Sequence, residues 1–486
     1  MGSKSIAGDA TKLTIMKIAT TLLTMLSTML LSRFRTLEEY GTYSQLQLVI
    51  TVVVTVLMAG LPNSINFFVA KAKNSDEQKS FMSIYYTLCT LSGALSGILL
   101  IIFIPVIEGY FKNSSIRVFW YFLLLYPWTK IILAGIENVL VVFSNIRKLV
   151  IFKVLYSILT LGVIAICWVA HISFYTYMIC FLVTEIVFSL WVYKISANTV
   201  HGLSILFERS RVKEILSFSI PIGLSSVVGT VSIELDKMMI GYLYNTKELA
   251  IYTNASKEMP VTIVATSITA VLLPQLVRLL QKKENEKALE LWKMATNLSY
   301  ICIAFLAAAL FVFAPDVITI LYSEKYLPGV GVFRVYSLVL LLRVTYFGII
   351  LNALGRTKFI FISSLISLGL NVVLNVIGYM LFGFIGPAIA TFLAIAITAY
   401  IQLKYTARII KVKFCHILSW KYLAGISLLN IMLGIIVYQV KYLSTIDQIM
   451  GSVLETLILG CIWGLVYLFL TWKSIRKMWF GLNRTE

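Results

Sequence analysis

Residues 359–382, FIFISSLISLGLNVVLNVIGYMLF, form an uninterrupted stretch without a single charged side chain. A helix of about 20 apolar residues is long enough to cross the hydrocarbon core of a bilayer. The rest of the 486-residue chain has the same character, since 59% of its residues are apolar, 13% are charged and the mean hydropathy is +0.90. Soluble domains carry about 25% charged residues. The sequence therefore excludes a soluble globular protein and predicts an all-α polytopic membrane protein.

Apolar stretches separated by charged residues or by Pro and Gly breaks predict about fourteen transmembrane helices. They cover residues 13–32, 44–70, 80–107, 117–143, 149–170, 175–195, 215–243, 250–280, 290–313, 330–354, 359–382, 385–407, 422–440 and 449–472. Pro62, Pro221, Pro260 and Pro274 fall inside these segments, where we expect kinks.

The formal net charge of +19 comes from 41 basic and 22 acidic residues. With the N-terminus placed inside, the inner segments, which include Lys4 and Arg484, hold roughly four times as many basic residues as the outer ones. Such a bias is typical of cytoplasmic loops. We therefore expect both termini in the cytoplasm, and we read the positive charge as a topology signal rather than as a sign of nucleic-acid binding.

Several landmarks recur in the same order at an offset of about 210 residues. Leu61-Pro62 matches Leu273-Pro274, Pro105 matches Pro315, and Lys148 matches Lys358. Six helices separate the copies, so both begin on the same side of the membrane, as in transporters built from parallel repeats. The repeat predicts an N-lobe over 1–200 with helices 1–6, a cytoplasmic linker over 201–214, a C-lobe over 215–410 with helices 7–12, and helices 13–14 with a cytoplasmic tail over 411–486.

Polar residues recur at helical spacing on the first two helices of each predicted lobe, as in Thr20, Thr24 and Ser27 of the first span. Such residues commonly hydrogen-bond neighbouring membrane helices together. Four stripes on repeat-equivalent helices instead favour a hydrated cavity between the lobes.

Charged residues inside spans sharpen this hypothesis, because each is costly in lipid and needs a partner or water. The basic ones are Lys130, Lys237, Lys257, Lys293, Arg334 and Arg343, and the acidic ones are Glu137, Glu185, Glu234, Asp236, Glu258 and Glu455. Lys130 and Glu137 are seven residues apart and so share a helix face, whereas Arg334 and Arg343 are nine apart and point to opposite faces of a straight helix. The basic excess indicates an anionic cargo, and phosphate suits both arginine and lysine.

Enzymatic chemistry has little support in the sequence. The six cysteines lie in or beside apolar stretches without CxxC spacing, and the three histidines are dispersed, so we predict neither a disulfide framework nor a metal site. An enzyme at the membrane face would need a histidine or carboxylate cluster, and the sequence has none.

Three segments, LLSRFRTLEEYGTYSQ (30–45), GLPNSINFFVAKA (60–72) and LDKMMIGYLYNTKELAIYTNASK (235–257), resemble the polysaccharide transporters of the multidrug/oligosaccharidyl-lipid/polysaccharide (MOP) superfamily, the Wzx-type oligosaccharide flippases. The resemblance implies a bacterial inner-membrane flippase that carries a polyprenyl-diphosphate-linked oligosaccharide to the outer leaflet by alternating access. The cargo would be a precursor of a cell-surface polysaccharide or a teichoic acid. A polysaccharide polymerase or glycosyltransferases would be its partners, besides the bilayer itself. No cofactor is implied, although proton or sodium coupling is common in the superfamily.

The resemblance also implies roles for the charged residues within the spans. Lys237, Lys257, Arg343, Lys130 and Arg334 become candidates for binding the diphosphate or acidic sugars. Asp236, Glu234 and Glu258 would hold these bases between substrates or bind a coupling cation, and Glu137 would partner Lys130.

Two relatives remain as alternatives. A cation-coupled multidrug exporter usually has an acidic residue in its first span, but this chain has none between Lys12 and Ser32. The lipid II flippase of peptidoglycan synthesis also has a cationic cavity and fourteen helices, so charge does not separate it from the polysaccharide group.

Overall fold

The computed structural model describes residues 6–443 and 451–483, so Lys4 and Arg484 of the charge count, and the start of the last predicted span, lie outside the described residues. Within the described part all regular secondary structure is helical, which confirms the all-α prediction. The chain divides into two compact units, unit 1 (Met1–Ala250) and unit 2 (Ile251–Glu486).

Unit 1 contains the six predicted N-lobe spans and the seventh span. Several of these spans are interrupted, so that a long helix is followed by a short one. The helices are α1 (Ile6–Phe34), α2 (Leu37–Met58), α3 (Leu61–Lys71), α4 (Ser75–Ile102), α5 (Ile104–Phe111), α6 (Trp120–Ala134), α7 (Ile136–Val142), α8 (Ile146–Val169), α9 (Phe174–Thr199) and α10 (Arg209–Leu243).

Helix α11 (Thr246–Ala255) leads from unit 1 into unit 2, whose helices end with the two spans outside the predicted repeat. They are α12 (Ile263–Gln281), α13 (Asn285–Val312), α14 (Ala314–Leu321), α15 (Val330–Val339), α16 (Ile349–Ala353), α17 (Thr357–Phe382), α18 (Gly386–Ile409), α19 (Trp420–Leu443) and α20 (Ser452–Asn483).

Twelve helical stretches in the described part are long and apolar enough to cross a membrane, or thirteen when the bent pair Thr246–Thr262 and Ala265–Gln281 counts as one span. One of the twelve, Thr357–Ile409, contains both α17 and α18. At 1.5 Å per residue its 53 residues would extend to about 80 Å as one helix, far more than the roughly 30 Å hydrocarbon core. When α17 and α18 are counted separately, each predicted segment corresponds to a helical stretch.

The stretch quoted at the outset forms α17, which turns at Gly383–Ile385 and packs along α18. The two backbones come close where glycines face each other, because a Cβ atom at Gly378 would lie 2.6 Å from the carbonyl oxygen of Gly386. Small residues allow membrane helices this close approach.

The second predicted span breaks at Gly60, whose φ of +73° is left-handed, and Pro62 follows near the start of α3. A Cβ atom at Gly60 would lie 2.6 Å from both the Gly223 nitrogen and the Ser219 oxygen of α10. The break therefore serves to seat α10 against α2 and α3 within unit 1. This packing puts the seventh span in unit 1, whereas the repeat assigns it to the C-lobe; the predicted lobe boundaries stay a prediction.

Proline affects the helices unequally. Pro260 begins a short 3₁₀ turn, whereas Pro221 and Pro274 lie inside α10 and α12, which continue as helices on both sides of the proline. Of these three prolines, only Pro260 lies at an interruption of the α-helical structure.

Candidate functional site

Helix α10 carries three of the predicted site residues in unit 1. The Lys237 ammonium lies 2.9 Å from the Glu234 carboxylate, and less than a fifth of either side chain is exposed. Residues three apart lie on the same side of a helix, so this pair follows directly from the helical spacing. Asp236 is buried, and its carboxylate accepts a hydrogen bond from the Lys237 backbone N–H at 2.8 Å.

Arg343 and Glu258 form the corresponding pair in unit 2. Arg343 follows a 3₁₀ turn, Leu340–Leu342, at the end of α15, and its guanidinium lies 3.0 Å from the Glu258 carboxylate. About a third of each side chain is exposed. Lys257 precedes Glu258 in the segment between α11 and α12 and is also exposed.

Lys130 lies on α6 in unit 1 and contacts α2. Its ammonium donates to the Thr51 hydroxyl at 2.9 Å and to the Gln47 side-chain carbonyl at 3.4 Å. The polar residues predicted on the second span therefore solvate a cation within unit 1. This arrangement places a positive charge next to neutral acceptors.

The predicted pairing of Glu137 with Lys130 is wrong. Glu137 pairs instead with Lys17 of α1, at a distance of 3.1 Å between the charged atoms. The prediction assumed one continuous helix, but the segment breaks at Gly135 between α6 and α7. The break removes the regular spacing that would place Lys130 and Glu137 on one face.

Arg334 lies in a different environment from Arg343, as the nine-residue spacing predicts. Its Nε donates to the Phe311 carbonyl at 3.2 Å, and its guanidinium lies 5.5 Å from the centroid of the Phe311 ring. Both contacts are to α13, and Arg334 lines a cavity inside unit 2. It therefore does not join Arg343 and Glu258.

Two further polar clusters were not among the predicted sites. Glu185 of α9 is buried and accepts a hydrogen bond from the Tyr156 hydroxyl of α8. The isolated carboxylate in the middle of an apolar span was the signal that could have singled it out. In unit 2 the Lys441 ammonium pairs with Asp316, whose other oxygen accepts from Ser452 at 2.6 Å, and so joins α14, α19 and α20.

The polar stripe of α1 is largely satisfied within its own helix. The hydroxyls of Thr20 and Thr24 donate to the carbonyls of Met16 and Thr20 at 2.9 and 2.8 Å. Such back-bonding is common for threonine in helices and requires no partner on another helix. These hydroxyls of α1 therefore need no hydrogen-bond partner on a neighbouring helix.

A family model described as "Polysaccharide biosynthesis protein" matches residues 30–331, more than half of the chain. The chain belongs to this family. The match extends from the end of α1 to the start of α15 and so includes Lys130, Lys237 and Glu258. No curated protein sequence matches the chain significantly.

Solved structures with the same fold are described as flippases and transporters. The lipid II flippase MurJ in an inward closed conformation has a TM-score of 0.74 at 17% identity, covering 93% of this chain and 98% of that one. An inward-facing MATE family multidrug resistance transporter of the MOP superfamily has a TM-score of 0.67 at 16% identity, covering 81% and 94%. A MOP superfamily transporter from Pyrococcus furiosus, described as having a binding pocket of reverse polarity, has a TM-score of 0.55 at 15% identity, covering 82% and 94%. The chain therefore has the fold of the MOP superfamily.

Proposed function

We propose that this protein is a Wzx-type flippase that moves a polyprenyl-diphosphate-linked oligosaccharide from the inner to the outer leaflet by alternating access. The cargo would be a precursor of a cell-surface polysaccharide or a teichoic acid. Membership of a polysaccharide biosynthesis family and the MOP-superfamily fold support this proposal.

The observation that carries the proposal is that each unit holds a basic residue against a carboxylate, within α10 in unit 1 and between the ends of apolar helices in unit 2. Lys237 with Glu234, and Arg343 with Glu258, are each neutral as a pair and so avoid the cost of an isolated charge in the membrane. A diphosphate can replace either carboxylate as the partner of the base, because a guanidinium or ammonium binds phosphate through charge-assisted hydrogen bonds. When the cargo leaves, the carboxylate takes the base back.

In this proposal Lys237, Arg343, Lys130 and Lys257 bind the diphosphate or acidic sugars. Glu234, Glu258 and Asp236 hold the bases between transport cycles or bind a coupling proton or sodium ion. Glu137 no longer partners Lys130 and instead holds Lys17.

The proposal also includes the membrane location, topology and partners of the protein. We place it in the bacterial cytoplasmic membrane with both termini in the cytoplasm, on the strength of the lysine and arginine bias. The two six-helix lobes would supply the alternating movement, and a polysaccharide polymerase or glycosyltransferases would act before or after transport.

A second candidate is a lipid II flippase. It is favoured by the MurJ match, whose TM-score of 0.74 covers nearly the full length of both chains. A cation-coupled multidrug exporter is the weaker alternative, because the first span has no carboxylate between Lys12 and Ser32.

Reconstituted proteoliposomes separate the three functions. The purified protein would be tested with a fluorescent polyprenyl-diphosphate oligosaccharide, with lipid II, and with a cationic dye under an ion gradient, using protein-free vesicles as the control. We expect movement of the lipid-linked oligosaccharide without dye export. Movement of lipid II alone would favour the second candidate, and gradient-driven dye export without lipid movement would overturn the flippase proposal.

A further inference from the structure

A cavity of about 530 Å³ lies inside unit 2 between α13, α15 and α19. Its volume is within the range of about 300–1,000 Å³ that is usual for ligand pockets. The lining is mostly apolar, with Ala304, Ala308, Leu338 and Gly434 among its residues. Of the described residues in this lining, only Arg334 is charged.

Arg334 has no carboxylate partner in the part of the chain that the structure describes, residues 6–443 and 451–483. Its hydrogen bond to the Phe311 carbonyl and its position over the Phe311 ring offset the charge only in part. Arg343, nine residues later in the same segment, has a carboxylate instead. Among the described residues, the cavity therefore holds a cation without a carboxylate partner.

Phe311, whose carbonyl accepts the hydrogen bond from Arg334, lies next to the last residue of the spanning helix α13, so the charge is near the end of that helix. This is the depth at which lipid headgroups meet a membrane protein.

The rim of the cavity is formed by apolar side chains that face outward from unit 2. Ile431, Ile435 and Tyr438 of α19 are each more than half exposed and line it. In a membrane protein such a surface faces lipid, so the occupant enters from the bilayer.

We propose that this cavity is a binding site for an anionic membrane phospholipid. Its headgroup phosphate pairs with Arg334, and one acyl chain lies along α13 and α19. Charge complementarity selects an anionic lipid, and the apolar lining selects a hydrocarbon chain over a soluble anion such as free phosphate. The site is separate from the Arg343–Glu258 pair and does not rest on the proposed transport function.

Native mass spectrometry of the purified full-length protein tests this proposal. The protein would be titrated with phosphatidylglycerol, with phosphatidylcholine, and with a polyprenyl phosphate. We expect phosphatidylglycerol to bind about tenfold more tightly than phosphatidylcholine, and Arg334→Gln to remove this preference. Lys325→Gln, which removes one charge nine residues away and outside the cavity lining, is the matched control and should retain the preference.

A second variant, Ala308→Phe, keeps Arg334 but fills the apolar cavity, and it should reduce binding of both phospholipids. Size-exclusion profiles and thermal unfolding would establish that both variants are folded. Unchanged phosphatidylglycerol binding in Arg334→Gln would overturn the proposal. Tighter binding of the polyprenyl phosphate than of phosphatidylglycerol would also overturn it, and would assign the cavity to the cargo lipid.

Discussion

Lys237 and Glu234 lie three residues apart on one helix, whereas Arg343 and Glu258 lie 85 residues apart in sequence. The first pair needs only an intact α10, while the second depends on how the α15 segment packs against the chain between α11 and α12. The first is also less exposed, at 17% and 19% of its side chains against 38% and 32%. The comparison teaches that the two units can present the same chemistry, a base held by a carboxylate, through local spacing in one and tertiary packing in the other.

Neutralising the bases should have the largest effect on transport. Lys237→Gln and Arg343→Gln each remove a charged hydrogen bond to the cargo, worth about 1.5–3 kcal/mol, or roughly a 10- to 100-fold loss of transport. Initial rates of lipid-linked oligosaccharide flipping in proteoliposomes measure this loss.

Arg343→Lys is the control, because it keeps the positive charge but removes the bidentate geometry of the guanidinium. We expect this variant to transport at an intermediate rate. Thermal unfolding establishes that the variants are folded. Wild-type rates in both glutamine variants would mean that neither unit binds its cargo through these bases.

The break at Gly60 seats the helix that carries Lys237, so Gly60→Ala should be the most destabilising of the small changes. Alanine in the left-handed conformation costs about 1–2 kcal/mol, and its Cβ would also collide with α10. We expect the free energy of unfolding to fall by about 2 kcal/mol or more.

Gly355→Ala is the matched control in unit 2, because Gly355 has a φ of +70° but no atom within 4 Å of an added Cβ. It should lose only the conformational part, about 1 kcal/mol. Equal losses at both positions, measured by denaturant unfolding in detergent, would show that the contact of Gly60 with α10 has no energetic weight.

Removing the carboxylates should strengthen cargo binding in both units. Glu234→Gln and Glu258→Gln leave the base without its competitor, so KM should fall several-fold, by about 1 kcal/mol, while kcat falls because release is slower. The effect should be larger for Glu234, whose pair is less exposed and therefore less screened. Unchanged KM values in both variants would contradict competition between carboxylate and cargo.

The smallest effect is expected from the polar stripe of unit 1. Thr24→Val removes a hydroxyl that, among the described residues, bonds only to its own helix, and should change stability by less than about 0.5 kcal/mol. Thr51→Val removes an acceptor of Lys130 and should cost about 1 kcal/mol. If thermal unfolding gave Thr24→Val the larger loss, the stripe would be holding helices together.

The spans could be predicted from the sequence because an apolar run long enough to cross the bilayer has few other stable structures. The Lys237–Glu234 pair could be predicted too, since three-residue spacing fixes it on any helix. Both depend only on distances along the chain.

Contacts that depend on a helix break or on distant packing could not be obtained in this way. The seven-residue spacing assigns Glu137 to Lys130 because the break at Gly135 is not evident from hydropathy. The apolar cavity around Arg334 exists only once α13, α15 and α19 are packed. Glu185 was visible as a lone carboxylate, but its partner Tyr156 comes from another helix.

The central claim is that the bases in or beside the apolar helices recognise the diphosphate of a lipid-linked cargo. The most direct measurement compares flipping by the wild-type protein of two lipids with the same sugar and the same polyprenyl chain, one with the diphosphate and one with an uncharged linker. The account predicts rapid movement of the diphosphate lipid, little movement of the neutral one, and loss of this preference in the Lys237→Gln/Arg343→Gln double variant. Equal rates for the two lipids in the wild-type protein would contradict it.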